Sequence, residues 1–76
     1  MDNQTIKDKE VVSGIVMEAL PNTMFRVKLD NETTDATLLT YLSGKMRLNR
    51  IRVLIGDRVF LELDKYGGKG KIIKRV

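Results

Sequence analysis

The sequence contains neither cysteine nor histidine among its 76 residues. Without cysteine the chain can form no disulfide, no thiolate nucleophile and no zinc knuckle, and without histidine it lacks the usual general base near neutral pH. The 10 acidic residues do not cluster, because most of them lie at turns or alternate with apolar residues. These absences predict a protein that is not an enzyme and that carries no cofactor or metal.

Signals for a membrane or for nucleotide binding are also missing. The first ten residues are polar and charged, and no apolar run approaches the length of a transmembrane helix. No amphipathic helix with a broad apolar face is present, so we expect no membrane partner. The glycine-rich stretch 67–70 lacks the length and the terminal Ser or Thr of a phosphate-binding P-loop. A cytosolic location, or the equivalent compartment of an organelle, is the resulting expectation.

Short strands separated by turns account for most of the chain. We predict a mobile tail over residues 1–9 and a single domain over residues 10–76. The predicted strands cover residues 11–20, 24–29, 36–42, 58–63 and 70–75. Gly14 within the first strand indicates a bend or a close approach of two backbones, as small barrels require.

Alternation of apolar and polar residues predicts which side chains form the core. Phe25 belongs to the inward face of the second strand, and Tyr41 to the outward face of the third. The predicted inward residues of the second, third and fourth strands are Phe25, Val27, Leu29, Leu38, Thr40, Leu42, Val59, Leu61 and Leu63.

The only predicted helix covers residues 44–49, with Ser43 as a candidate N-cap and with Met46 and Ile51 anchoring it to the barrel. Five strands with a short helix between the third and fourth is the order of the OB-fold, a Greek-key barrel. OB-folds bind oligonucleotides on the face of strands two and three and with the loops that join strands one to two and four to five. The predicted fold class is therefore all-β, a five-stranded OB-fold barrel.

Positive charge is concentrated in two blocks. The formal net charge is +4, with five cations and one acid over residues 45–58 and five cations and no acid over residues 65–75. Three of the four cations in the stretch 43–52 are arginine, whose planar fork pairs bidentately with phosphate. This distribution is typical of a protein that follows a phosphate backbone, and a solvated basic surface is the alternative interpretation.

The predicted RNA-binding residues lie on the outer face of strands two and three, on the helix segment, and on the last loop and strand. They are Arg26, Lys28, Tyr41, Lys45, Arg47, Arg50, Arg52, Tyr66, Lys69 and Lys71. A base stacked on an aromatic ring is worth about 1–3 kcal/mol, so Tyr41, Tyr66 and the outward Phe60 could each contribute. Tyr41 and Phe60 have an equally simple interpretation as packed surface residues.

Four stretches of the sequence together resemble bacterial translation initiation factor one, a family that many chloroplasts also encode. They are LPNTMFRV at 20–27, SGKMR at 43–47, IRVL at 51–54 and GDRV at 56–59. The resemblance extends from about residue 12 to residue 75 in the same order and with nearly the same spacing. It departs from the family in a longer turn at 30–35, in Tyr41 where relatives often carry histidine, and in the absence of an aspartate after Tyr66.

The resemblance implies an OB-fold protein that binds the small ribosomal subunit at the aminoacyl-tRNA decoding site. Its implied partners are ribosomal RNA, a neighbouring ribosomal protein and the other two initiation factors, and its implied role is to keep elongator tRNA out. A monomer off the ribosome, in the bacterial cytoplasm or the chloroplast stroma, is expected. By motif position, the basic residues carried over are Arg26, Lys45, Arg47 and Arg52.

Two other classes of function stay open on the sequence alone. A single-strand RNA chaperone of the cold-shock type has the same barrel, but such proteins show several aromatic residues along strands two and three, where this chain offers Tyr41. A protein-interaction module is the other alternative, and the ten cations in two blocks argue against it.

Overall fold

The computed structural model describes residues 9–31, 33–34, 36–64 and 68–76. This part of the chain contains strands β1 (Lys9–Leu20), β2 (Met24–Leu29), β3 (Leu38–Leu42), β4 (Arg58–Asp64) and β5 (Gly70–Arg75), the helix α1 (Gly44–Leu48) and a 3₁₀ turn at Pro21–Thr23. The tail predicted for residues 1–9 lies outside the described residues except for Lys9, with which β1 begins.

The strands close into a barrel in the order β1-β2-β3-β5-β4, with β4 pairing back onto β1. β1 is long enough to pair with two neighbours, because Lys9–Ile15 lie against β4 and Gly14–Leu20 lie against β2. All neighbouring pairs are antiparallel except β3 with β5, which is parallel. The predicted all-β OB-fold barrel with a short helix between its third and fourth strands is confirmed.

Gly14 is the point at which β1 changes partner. A Cβ atom at this position would lie 2.5 Å from the carbonyl oxygen of Lys28 and 2.6 Å from Cγ1 of Val27. Real Cβ atoms do not approach other atoms so closely, so only glycine fits this close approach. A β-bulge between Val16 and Glu18 then bends the second half of the strand.

Side chains from all five strands and from α1 fill the barrel. The buried apolar residues are Val16, Phe25, Val27, Leu29, Leu42, Met46, Val53, Val59, Leu61 and Ile72. The predicted alternation on β2, with Phe25, Val27 and Leu29 inward, is confirmed. Thr40 is fully buried as well, and its hydroxyl donates to the carbonyl oxygen of Phe25 at 2.9 Å, so the core contains no unpaired hydroxyl at this position.

The helix begins where the sequence predicts, because the Ser43 hydroxyl accepts from the Met46 amide at 3.2 Å as an N-cap. Met46 is only 4% exposed and reaches the core. The prediction that Ile51 would anchor the segment was wrong, since Ile51 is 36% exposed and Val53, at 7%, is the buried residue. The left-handed turn at Arg50 after α1 shifts which residue points inward.

Three strand boundaries differ from the prediction. β1 begins at Lys9 rather than Val11. β3 begins at Leu38 rather than Ala36, because the β2–β3 ladder ends at the pair Val27 and Leu38, and β4 continues to Asp64. In the described ranges, no helix is both long and apolar enough to cross a membrane.

Asp30 joins three strands at one end of the barrel. The Ser13 hydroxyl donates to its carboxylate at 2.5 Å, the Arg58 guanidinium contacts the same oxygen, and the Asp30 amide donates to the Ser13 carbonyl at 2.9 Å. The hydrogen bond from Ser13, together with the positive charge of Arg58, lowers the pKa of Asp30 below its ordinary value of 3.8. This carboxylate therefore stabilises the fold in its charged form.

Replacing Gly14 by alanine should destabilise the barrel by about 1–3 kcal/mol, because the new methyl group overlaps the Lys28 carbonyl across the β1–β2 pair. Urea unfolding followed by circular dichroism measures this. Gly44→Ala is the matched control, since a Cβ there meets no atom within 4 Å. Equal stability of the two variants would contradict the close approach at Gly14.

The lowered pKa of Asp30 also predicts a dependence on pH. The stabilisation is fully present at neutral pH, begins to decline as the pH approaches 3.8, and is lost below the folded-state pKa, because the unfolded carboxyl takes up its proton first. Asp30→Asn should make the urea unfolding midpoint less dependent on pH across this acid range. Ser13→Ala removes the main hydrogen-bond donor to the carboxylate, so it should reduce this pH dependence in part. An unchanged acid limb in Asp30→Asn would show that other carboxylates control it.

Candidate nucleic-acid interface

The four cations predicted to bind phosphate lie on one short segment, residues 45–52, which we call the basic segment. α1 ends at Leu48 with Asn49 as its C-cap, the chain turns at Arg50, and residues without regular secondary structure lead on to Val53. The Ser43 amide donates to the Ile72 carbonyl at 2.9 Å, which fixes the start of the segment on β5. Both ends of the segment are thus attached to the barrel while its cations are exposed.

Arg47, Arg50 and Arg52 line one side of an open concavity of ≈ 340 Å³, which we call the arginine cleft. Thr23, at the turn between β1 and β2, also lines it. The remaining lining residues are Phe25, Leu42, Ile51 and Val53, the first two and the last of which are buried. An apolar floor with guanidinium groups at its rim can receive a phosphate group together with the flat face of a neighbouring base.

The backbone that carries Arg52 is held by β5. The Arg75 guanidinium donates to the Arg52 carbonyl at 3.0 Å, and it lies 4.0 Å from the carboxylate of Asp57. The same carboxylate accepts from the Leu54 amide at 2.8 Å. Arg75 and Asp57 therefore fix the position of the chain on which Arg52 is carried, while the Arg52 side chain stays exposed.

Lys45 is not part of the arginine cleft. It lines a second concavity of ≈ 260 Å³ on the other side of the basic segment, with Asn49, Lys74 and Arg75 among its neighbours. The structure therefore brings together three of the four predicted cations and separates the fourth, because one turn of helix points successive side chains to different sides.

The basic segment is electrostatically unopposed in the described part of the chain. The ion pairs found there join Arg26 to Glu18, Arg58 to Asp30, Lys71 to Glu62 and Arg75 to Asp57, and none of them involves Lys45, Arg47, Arg50 or Arg52. Cations that have no carboxylate partner keep their full attraction for an external anion.

Two of the predicted basic residues on the barrel strands, unlike those of the basic segment, form ion pairs with carboxylates. Arg26 lies 3.4 Å from Glu18 of β1, and Lys71 lies 3.5 Å from Glu62 of β4, so both are already paired. Tyr41 is 40% exposed and lies beside Met24 and Lys71 in the ladders. Lys28 is partly buried beside Ile15, Lys69 is exposed, and Tyr66 lies outside the described residues.

Sequence reasoning missed several residues at these two concavities. Thr23, Leu42 and Val53 line the arginine cleft, and Lys74 lines the second concavity. The signal for Thr23 was its position in the loop between strands one and two, which OB-folds use for binding. The only sequence signal for Lys74 is its place in the second basic block. Its position near the helix depends on the parallel pairing of β3 with β5, which a local pattern does not predict.

The fold and the cleft define a small OB-fold protein with an exposed basic concavity. The family model described as "Translation initiation factor 1A / IF-1" matches residues 2–76, so the chain belongs to this family.

Individual relatives agree with the family model. The chain is 52% identical over 69 residues to "Translation initiation factor IF-1, chloroplastic" of Oryza sativa subsp. indica, covering 90% of this chain and 62% of the relative. It is 49% identical over 71 residues to the protein of the same name from Glycine max, covering 92% of this chain and 49% of the relative. The chain thus spans about half to three fifths of the length of these curated relatives.

A solved structure shares the barrel. The solution structure of the translation initiation factor IF-1 from the Wolbachia endosymbiont strain TRS of Brugia malayi superposes with a TM-score of 0.75 at 41% identity. The alignment covers 99% of this chain and 86% of that one.

Replacing Arg47 and Arg52 together by alanine should leave the fold intact but weaken binding to small ribosomal subunits by about two to four powers of ten. Each lost charge-assisted contact to phosphate removes about 1.5–3 kcal/mol, whereas exposed substitutions shift stability by only about 0.5 kcal/mol. Co-sedimentation with purified subunits and thermal melting measure the two quantities.

A double variant with Lys28 and Lys71 replaced by alanine is the matched control, because it loses the same two charges outside the cleft. If both double variants lost affinity equally, general positive charge rather than the arginine cleft would carry the binding.

Proposed function

We propose that this protein binds the small ribosomal subunit at the aminoacyl-tRNA decoding site and keeps elongator tRNA out during initiation. The observation that carries the proposal is the arginine cleft, in which three guanidinium groups without carboxylate partners in the described structure surround an apolar floor. Membership of the initiation-factor family supports the ribosome as the partner of this surface.

Binding alone accounts for the activity. A barrel seated where the anticodon stem of a tRNA would lie excludes the tRNA by occupying its volume, with no covalent step. The protein can also favour one conformation of the subunit, but only by as much as it binds that conformation more tightly than the others. Release of counterions from the RNA supplies affinity, and the shape of the folded RNA supplies the address.

The partners follow from the same placement. We propose contacts with ribosomal RNA through the arginine cleft, contacts with a neighbouring ribosomal protein, and joint action with the other two initiation factors on one subunit. The compartment is one that contains ribosomes of the bacterial type. The chloroplastic names of the plant relatives favour the chloroplast stroma, and the bacterial cytoplasm is the alternative.

A cold-shock-like chaperone for single-stranded RNA is the second candidate function. Its hallmark would be a row of exposed aromatic rings on β2 and β3, and among the described residues of those strands Tyr41 is the exposed aromatic. Arg26 on the same face is occupied by Glu18. The positive charge without a partner lies instead at the basic segment, which favours the first proposal.

A competition experiment tests the site. Fluorescently labelled protein should bind purified small subunits, and its binding should fall when elongator tRNA and its codon occupy the aminoacyl-tRNA site beforehand. Initiator tRNA placed in the neighbouring peptidyl site should leave binding unchanged, and this forms the control.

The same assay separates the alternative function. An excess of unstructured single-stranded RNA should compete weakly if the folded subunit is the target and strongly if the protein is a general chaperone. Simultaneous binding of elongator tRNA and the protein to one subunit would overturn the proposed site even if the protein binds elsewhere on the ribosome.

A further inference from the structure

Arg50 has an unusual backbone conformation for an arginine. Its φ is 57°, in the left-handed region, directly after the C-cap of α1. Its amide donates to the Arg47 carbonyl at 3.1 Å, and the next amide, of Ile51, donates to the Met46 carbonyl at 3.0 Å. These two bonds form the Schellman motif, which satisfies the free carbonyls at the end of a helix.

The left-handed position of this motif normally holds glycine, because a Cβ atom there crowds the following carbonyl. The present chain uses glycine where a left-handed turn has no other task, since Gly56 has a φ of 95° and open space around it. At position 50 it carries arginine instead, so the fold accepts backbone strain at a residue whose side chain lines the arginine cleft.

A second residue that lines the cleft shows the same feature. Thr23 has a φ of 54°, and a β-branched residue rarely adopts this conformation. The described residues other than glycine that have a positive φ are Asn22, Thr23 and Arg50, and the last two both line the arginine cleft. Strained backbone therefore occurs at two residues of one site.

We propose that Arg50 is a preorganised RNA-contacting residue, whose left-handed backbone directs its side chain from the chain into the arginine cleft beside Arg47 and Arg52. This inference rests on the proposed binding of ribosomal RNA. If residue 50 continued the helix instead, its side chain would project in another direction and the following chain would take another path. The left-handed turn thus sets both the position of Arg50 and the path toward Arg52.

Preorganisation has a definite benefit for binding phosphate. A backbone that already directs the side chain into the cleft needs no rearrangement when the RNA arrives, so more of the contact energy contributes to affinity. The same strain lowers the stability of the free protein, because a non-glycine residue in this region is disfavoured. A substitution at position 50 that relieves the strain and removes the guanidinium group should therefore favour the stability of the free protein and weaken its binding to RNA.

Comparing Arg50→Gly with Arg50→Ala separates the strain from the side chain. Both variants lose the guanidinium group, so both should bind purified small subunits about 10- to 100-fold more weakly than the unmodified protein. Only Arg50→Gly relieves the strain, and its melting midpoint should lie about 2–6 °C above that of Arg50→Ala. Equal midpoints, or full binding by Arg50→Ala, would overturn the proposal.

A second pair of variants keeps all the charges and changes only the backbone. Ile51→Pro removes the amide that donates to Met46 and drives the residue before it out of the helical regions. Ile51→Ala, at the same exposed position, is the matched control. Ile51→Pro should bind at least about tenfold more weakly than Ile51→Ala although both retain three arginines in the segment. Equal binding by a folded Ile51→Pro would overturn the proposal.

The results distinguish this inference from the proposed function. If the unmodified protein fails to bind small subunits, the proposed function and this inference both fall. If it binds and the Arg47 and Arg52 double variant does not, but all the variants at positions 50 and 51 bind fully, only the preorganised role of Arg50 is refuted. Should Ile51→Pro not fold, the comparison of Arg50→Gly with Arg50→Ala still decides.

Discussion

The close approach of β1 to β2 at Gly14 is the contact on which the barrel depends. Because no Cβ atom separates the two backbones there, one continuous strand can pair with β4 through its first half and with β2 through its second. Without that change of partner, β4 would not meet β1, and the sheet would keep two open edges. Closure of the barrel in turn brings the helix, the Pro21–Thr23 turn and the end of β3 together around the arginine cleft.

The arginine cleft combines elements from distant parts of the chain, and each has a separate structural support. The Ser43 amide attaches the start of the basic segment to β5 by donating to the Ile72 carbonyl, and the Arg75 guanidinium holds the Arg52 carbonyl at the other end. Among the described residues, Arg26 with Glu18 and Lys71 with Glu62 pair between barrel strands, whereas the basic segment has no carboxylate partner there. Positive charge that is paired within the fold and positive charge that is left exposed are thus carried by different residues.

Much of the fold could be predicted from the sequence because it depends on local patterns. Strict alternation places Phe25, Val27 and Leu29 in the core, and a serine three residues before Met46 caps the helix. The burial of Val53 in place of Ile51 could not be predicted in this way. It depends on a left-handed turn at Arg50, and arginine carries no sequence signal for that conformation.

The site could be predicted only in outline for a similar reason. The charge blocks indicate which segment attracts phosphate, but the separation of Lys45 from the three arginines follows from the path of the chain after α1. Register between strands decides that Arg26 meets Glu18 and that Lys71 meets Glu62, and single-sequence patterns do not fix the register. The sequence therefore identifies the segment that carries exposed positive charge. It does not identify which cations form ion pairs with residues on other strands.

The parallel pairing of β3 with β5 has a consequence for the way the protein matures. β5 forms ladders with both β3 and β4, so the barrel stays open until residues 70–75 are available. Contacts between residues so far apart in sequence form late in folding. Since β5 also carries Arg75, which steadies Arg52, a chain still being synthesised would lack a finished cleft. The cleft is therefore complete only after β5 has docked.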